Sequence, residues 1–250
     1  MSGKQRFTSV WAREAARRRT GRGPTGLSRD QIVREAIALL DAEGADSLSM
    51  RRLAARLGSG ATSIYWYVDN KEELLQLVTD EVVGEVNRMF AEPYGDAAHW
   101  REVASRYAYG LRDMILRHPW VAQQIGTRPN LGPNWLEMTA RMVRSFQEAG
   151  FTGRDVDYAV GAVGAFVIGS ALPEVAWRNG MAKMNMTEEE WVAACREELR
   201  RAGDEYPGLV AAYDEWTAQE DLSVARKVAF DYGLVSMLDG LEARLSGDRR

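Results

Sequence analysis

Apolar residues recur at helical spacing almost from end to end of the 250-residue chain, and the places where that rhythm breaks predict its elements. Ile32, Val33, Ala36, Ile37 and Leu40 form one face of a first helix. It opens at Ser28, whose hydroxyl is placed to cap the amide of Gln31, while the Gln31 side chain reaches back and Leu27 can staple onto Ile32. Gly44 stands where a helix C-cap is expected. Ser49 is the N-cap of a short second helix through Leu57, Gly58 supplies a tight turn, and a third helix spans about residues 60–68. Two short helices around a glycine turn form a helix-turn-helix. Asn70, with Glu73 three positions later, starts a long fourth helix through Leu74, Leu75, Val78, Val82 and Val86.

Beyond Phe90 the pattern predicts helices over roughly 98–117, 120–126, 133–149, 153–177, 187–202 and 222–245, with breaks at Pro119, Pro129, Pro133, Gly150 and Pro207. No stretch alternates as a strand does, so the expected fold class is all-α. Between Ala159 and Ser170 the small residues Gly161, Ala162, Ala165 and Gly169 lie among Val163, Phe166, Val167 and Ile168, a pattern that lets two helices approach closely. Membrane packing is the weaker reading of that run, because it is short and flanked by Asp157 and Glu174.

Charge changes the picture. Residues 1–71 carry 13 Lys/Arg against 7 Asp/Glu, whereas residues 72–250 carry 19 against 29, a division that the net charge of −4 conceals. A basic front on an acidic body suits a segment that meets a polyanion. Residues 1–26, with Arg13, Arg17, Arg18, Arg19 and Arg22 together with Gly21, Gly23, Pro24 and Gly26, read as a mobile basic arm. Cys195 is the single cysteine and His99 and His118 are the only histidines, which excludes an internal disulfide and leaves no zinc-binding cluster. The first 22 residues lack the apolar core of a secretory signal, so the cytoplasm is the expected location.

The ordered set Leu53-Ala54-Ala55-Arg56-Leu57-Gly58, Ile64-Tyr65-Trp66-Tyr67-Val68 and Asn70-Lys71, within Leu27 to Leu75, resembles the DNA-binding domain of the tetracycline repressor (TetR) family. The likeness continues through Ile125-Gly126-Thr127-Arg128-Pro129, Ala162-Val163-Gly164-Ala165-Phe166 with Gly169, and Phe230 to Glu242. It implies a three-helix DNA-binding domain over 27–73 followed by a helical ligand-binding and dimerisation domain over 74–250. It also implies a homodimer whose third helices enter the major groove of a palindromic operator, with the helices near 153–177 and 222–245 pairing between protomers. Repression is the common mode of such proteins.

On this reading the third helix exposes Ala61, Thr62, Ser63, Tyr65 and Trp66 and turns Ile64 and Val68 inward. Thr62 and Ser63 can hydrogen-bond bases or phosphates, and Ala61 or the Thr62 methyl can meet a thymine methyl. The resemblance puts Tyr65 and Lys71 at phosphate-contacting positions, with Arg51 a third candidate. Tyr65 and Trp66 could instead be core aromatics, but the ordered motif favours contact for Tyr65, Lys71 and 61–63. Arg52 and Arg56 read as a solvated face. The Arg13–Arg22 arm either follows the DNA backbone or minor groove or is a disordered tail.

The many aromatics between 98 and 220 suit a cavity for a hydrophobic or aromatic effector. Candidate lining residues by position are Asn87, Tyr107, Gln124, Thr127, Met142 and Phe166. Family members that bind a magnesium–drug chelate have a histidine where this chain has Gln124, and Asn87 and Tyr107 replace further drug-gripping side chains, with Pro173 and Glu174 near an acidic pocket position. Gln is a poor ligand for a hard cation, so no metal or other cofactor is expected. Two alternatives stand beside the regulator: a helical small-molecule enzyme, for which no catalytic residue or motif is recognisable, and a ligand-independent DNA binder, which leaves the large C-terminal region without a purpose.

Overall fold

The computed structural model describes residues 10–11, 27–89, 99–125, 129–201, 206–218 and 221–247. Among these residues it contains ten α-helices and no β-strand, as the periodicity predicts. The helices are α1 (Arg29–Glu43), α2 (Met50–Arg56), α3 (Ala61–Tyr65), α4 (Lys71–Met89), α5 (Trp100–Arg117), α6 (Pro133–Ala149), α7 (Arg154–Met184), α8 (Glu188–Arg201), α9 (Pro207–Thr217) and α10 (Leu222–Gly247). The chain divides into two compact units, Met1–Val160 and Gly161–Arg250.

The local start and stop chemistry acts largely as expected. Ser28 and Gln31 form a reciprocal capping box, Gly44 closes α1 at φ 78°, and the Ser49 hydroxyl accepts from the Arg52 amide at 3.2 Å. Gly58 turns the chain at φ 61°, a conformation that suits glycine. At α4, Asn70 accepts from the Glu73 amide at 2.8 Å, but the Glu73 carboxylate accepts from the amide of Asp69 rather than from Asn70. That shift satisfies one more donor outside the helix and leaves the start position unchanged.

Four expectations are corrected. The segment expected as a helix over 120–126 is a 3-10 stretch, Pro119–Gln123, too short behind its proline to sustain an α-helix. The helix expected to end at 177 continues to Met184 with Pro173 inside it. Pro207, read as a break, occupies the first turn of α9, where its missing N–H is no loss. The third helix is also shorter than 60–68: after Tyr65 the chain finishes in turns, with the amides of Tyr67 and Val68 bonded to the Ile64 carbonyl.

In the first unit, α4 is the central element and packs on α1, α5 and α6. Its apolar face, Leu74, Leu77, Val78, Val82, Val83 and Val86, is buried. Toward α6 it presents a buried carboxylate. Asp80 Oδ1 accepts from the Trp135 amide at 3.0 Å, and Oδ2 accepts from the Asn134 amide at 3.2 Å and from Asn134 Nδ2 at 3.1 Å. The carboxylate thus serves free donors at the first turn of α6 and lies at the positive end of that helix. Gly132 makes the approach possible, since a Cβ there would lie 2.0 Å from Asp80 Oδ1. A second polar junction joins three elements: His118 Nδ1 lies 2.7 Å from Asp41 Oδ1 of α1, His118 Nε2 lies 3.3 Å from Glu85 Oε1 of α4, and Trp120 Nε1 donates to the same Asp41 oxygen at 2.7 Å. Trp100, Phe146 and Phe151 close the far end of this unit with ring centroids 5.2 to 5.7 Å apart.

In the second unit, Phe166 of α7 stacks on Phe230 of α10 at 5.3 Å, and a Cβ on Gly233 would meet the Phe166 ring at 2.6 Å. The close helix approach expected around the small residues is therefore made at Phe166 and Gly233. Gly161 and Gly169 face open space within the chain. Trp177 packs edge-on against Trp191 and Trp216, and the Arg226 guanidinium lies 5.4 Å from the Trp177 ring centre while pairing with Glu188 at 2.7 Å.

Two outcomes follow for the α4–α6 junction. Gly132→Ala is expected to lower stability by about 1–3 kcal/mol, read as the urea midpoint, because Asp80 must give way to the new methyl. Burial pushes the Asp80 carboxyl above its ordinary range despite the hydrogen bonds from Trp135 and Asn134. A carboxyl raised in the folded state favours folding when protonated, and that contribution is lost as pH rises through its folded pKa. The stability of Asp80→Asn relative to the native chain should therefore fall as pH drops from about 7 to about 4, through the carboxylate range; a difference that does not change with pH would contradict the buried-carboxylate description.

Candidate nucleic-acid interface and effector region

The helix-turn-helix is assembled by a small core. Leu53 and Ala54 of α2, Ile64 of α3 and Val68 after it are buried with Ile32, Leu39 and Leu40 of α1. Residues 64 and 68 are four apart, so Tyr67, three from Ile64, belongs to the same side. The structure agrees: the Tyr67 hydroxyl donates to the Leu27 carbonyl at 2.6 Å and ties the end of the motif to the start of α1. The spacing of Tyr67 from Ile64 carries the signal for this anchoring role.

The opposite side is bare. Tyr65 is 49% and Trp66 66% exposed, Thr62 is exposed, and Ala61 and Ser63 are half-buried. A tryptophan left this open, next to a fully buried Ile64, is not a core residue. Arg51 is exposed, whereas Arg52 pairs with Glu43 and Arg56 with Glu35, as a solvated face does. Lys71, in the first turn of α4, is half-buried, and its Nζ lies 3.5 Å from the Ala45 carbonyl, at the edge of hydrogen-bond range. Of the basic arm, Val10 and Trp11 are described: both are helical, Val10 is buried, and the Arg29 guanidinium lies 5.6 Å from the Trp11 ring centre. Arg13 to Arg22 lie outside the described residues.

Of the expected effector residues, Asn87, Tyr107 and Met142 are buried on three helices that pack together, α4, α5 and α6. Asn87 Nδ2 donates to the Asn134 carbonyl at 2.8 Å, while its Oδ1 is buried without a hydrogen-bond partner. The Thr79 and Ser145 hydroxyls, on α4 and α6, are likewise buried without partners. Burial pushes the Tyr107 phenol up to about 12, so it is a neutral donor at physiological pH. Gln124 is half-buried and lines a separate cleft of about 230 Å³ with Glu72, Leu75, Gln76, Thr79, Gln123 and Asn130. Phe166 packs on Phe230 in the second unit, and Thr127 lies outside the described residues. Among the described residues no three His, Cys, Asp or Glu side chains stand together as a metal site.

The comparisons with known proteins match this geometry at both ends of the chain. Residues 32–78 match the family described as bacterial regulatory proteins, tetR family, and residues 92–245 match the tetracyclin repressor-like C-terminal domain. A transcriptional regulator of Saccharopolyspora erythraea is 36% identical over 225 residues, which is 88% of this chain and 90% of that protein. The transcriptional repressor DrrR1 of Streptomyces coeruleorubidus is 32% identical over 93% of this chain and 84% of its own length. The crystal structure of ActR from Streptomyces coelicolor in complex with actinorhodin superimposes with a TM-score of 0.69, at 31% identity, covering 88% of this chain and 99% of ActR. These relatives are regulators, which sets the enzyme alternative aside. The long apolar helix α7 buries one face within the chain, with Val163, Val167 and Ala171 fully buried, and leaves another face exposed. The chain belongs to the TetR family of transcriptional regulators, with the DNA-binding and ligand-binding parts both present.

Proposed function

We propose that this chain is a cytoplasmic repressor that binds a palindromic operator as a homodimer and leaves it when a hydrophobic, aromatic small molecule binds. The observation that carries the DNA part is the bare surface of α3, with Tyr65 and Trp66 exposed beside a fully buried Ile64. Thr62 and Ser63, with Ala61, read the major groove, and Tyr65, Lys71 and Arg51 hold phosphates. Two such surfaces about 34 Å apart would meet successive turns of one duplex face.

The dimer is supported by an uncovered apolar stripe on α10. Val224, Val228, Tyr232 and Val235 repeat at helical spacing, and all are more than half exposed, Tyr232 at 77%. On α7, Ala162, Ala165, Gly169 and Leu172 form a second exposed stripe of small and apolar residues. A partner's helices laid along these stripes would remove them from water. The effector part is supported by the buried, unpartnered Asn87 Oδ1 near the neutral phenol-bearing helix α5, and by the relative ActR, which is solved with actinorhodin. A ligand that offers a hydrogen-bond donor to Asn87 inside this three-helix core would be a phenolic or hydroxylated aromatic.

Fluorescence anisotropy on the duplex upstream of the chain's own gene, compared with a scrambled duplex across a salt series, tests the first claim. Lys71→Ala is expected to weaken binding to both duplexes alike and to reduce the salt slope by about 1, as loss of one phosphate contact does; an unchanged slope would remove Lys71 from the interface. For the dimer, sedimentation of Tyr232→Glu together with Val228→Glu should show monomers with native helix content and lost operator affinity. A dimer that persists in that variant would place the interface elsewhere.

A further inference from the structure

The side of α4 that meets α6 is built differently from its apolar face. Asp80, Gly84 and Asn87 follow at spacings of four and three, so they line up over two turns. Opposite them lies the first turn of α6, Gly132-Pro133-Asn134-Trp135. Asn134 is held at both ends: its Nδ2 donates to the Asp80 carboxylate and to the Asp80 carbonyl at 3.0 Å, and its own carbonyl accepts from Asn87 Nδ2 at 2.8 Å. Two glycines clear the space, Gly132 for the Asp80 carboxylate and Gly84 for the Asn134 carboxamide, which a Cβ would meet at 3.2 Å. Shape-based packing of two helices needs none of this.

The chemistry makes the junction all-or-none. While α6 keeps its place, the buried carboxylate has three donors; if the first turn of α6 moves by more than a hydrogen-bond length, those donors are lost together and α4 must rotate or admit water to solvate the charge. A 19-residue helix, about 28 Å long, transmits such a rotation as a rod to its first residue, Lys71, which follows the helix-turn-helix directly. We propose that Asp80 is the positioning residue that couples α6 to the DNA-reading end of α4, so that a shift of the first turn of α6 is felt at α3 and binding of DNA at α3 is felt at the first turn of α6. The proposal rests on the regulator reading above, and the reciprocity in it is a thermodynamic requirement of any such coupling.

Hydrogen–deuterium exchange of the full-length chain tests it from the DNA side, with no effector needed. The duplex is one that the native chain selects from a random-sequence pool. Without DNA, Asp80→Asn should exchange peptides covering 132–138 about tenfold faster than the native chain, as loss of hydrogen bonds to a charged group implies, while peptides covering 32–40 keep native protection. With saturating duplex, the native chain should slow further at 132–138, and Asp80→Asn should bind the duplex yet show no added protection there. Should Asp80→Asn fail to fold, Asn134→Ala, which removes both Nδ2 contacts and keeps the two backbone amides, is expected to show less DNA-dependent protection at 132–138 than the native chain. Bound duplex that leaves 132–138 unchanged in the native chain, or equal DNA-dependent protection in native and variant chains, overturns the coupling. A native chain that selects no duplex overturns the regulator reading itself, which separates the two failures.

Discussion

A carboxylate withdrawn from water must be given donors, and most of what is distinctive in the first unit is arranged around meeting that need at Asp80. The donors come from the start of α6, where the amides have no helical partners of their own. Pro133 contributes no N–H and fixes the helical entry, so the next two residues, Asn134 and Trp135, supply the amides. Gly132 and Gly84 follow from the distances that this arrangement imposes rather than from any turn. With α6 fixed in this way, its buried face, Met138, Met142 and Phe146, is directed into the space between α4 and α5.

The same helix α4 is tied at a second point, through Glu85 to His118 and onward to Asp41 of α1. α1 belongs to the DNA-binding core, so α4 is joined by polar contacts both to the elements that hold α3 and to the elements that bury Asn87 and Tyr107. Apolar packing along Leu74, Val78, Val82 and Val86 supplies the adhesion but little directional preference, because aliphatic contacts tolerate sliding. Polar contacts do not tolerate it, since each has one geometry and a large desolvation cost outside it. The coupling proposed through Asp80 depends on that division of labour.

The fold was legible in the sequence to the extent that it depends on local rules. Ser28, Gly44, Ser49 and Gly58 act as caps and turns from their own chemistry, and the spacing of Ile64 and Val68 alone decides which side of α3 is left bare. The errors came where a residue has two local meanings. Pro207 and Pro119 break a helix from within or begin one at its first turn, and only the neighbouring structure chooses. Asp80 was illegible for another reason. In Val-Thr-Asp-Glu-Val it looks like a solvent-facing charge, and its partners are more than fifty residues away. The only trace was a second stripe, Asp80, Gly84 and Asn87, running beside the apolar one, in which a small residue separates two polar ones.

On the proposed reading, in which Asn87 belongs to the effector site, its unpartnered oxygen constrains what the effector would offer. Asn87 is bound through its amide nitrogen, and this fixes the carboxamide orientation and leaves its oxygen as a buried acceptor. A purely hydrocarbon ligand entering that core would leave the oxygen as unsatisfied as before and would gain nothing over water, which can donate to it. A hydroxylated aromatic differs, because its donor would satisfy the oxygen. Discrimination would then come from the oxygen rather than from ring size: a pocket that must hydrogen-bond rejects an analogue lacking the donor far more sharply than an apolar wall rejects one extra methyl group. Asn134, whose carbonyl fixes that carboxamide, is also the residue held by Asp80, so a ligand that pulls on Asn87 pulls on the clasp.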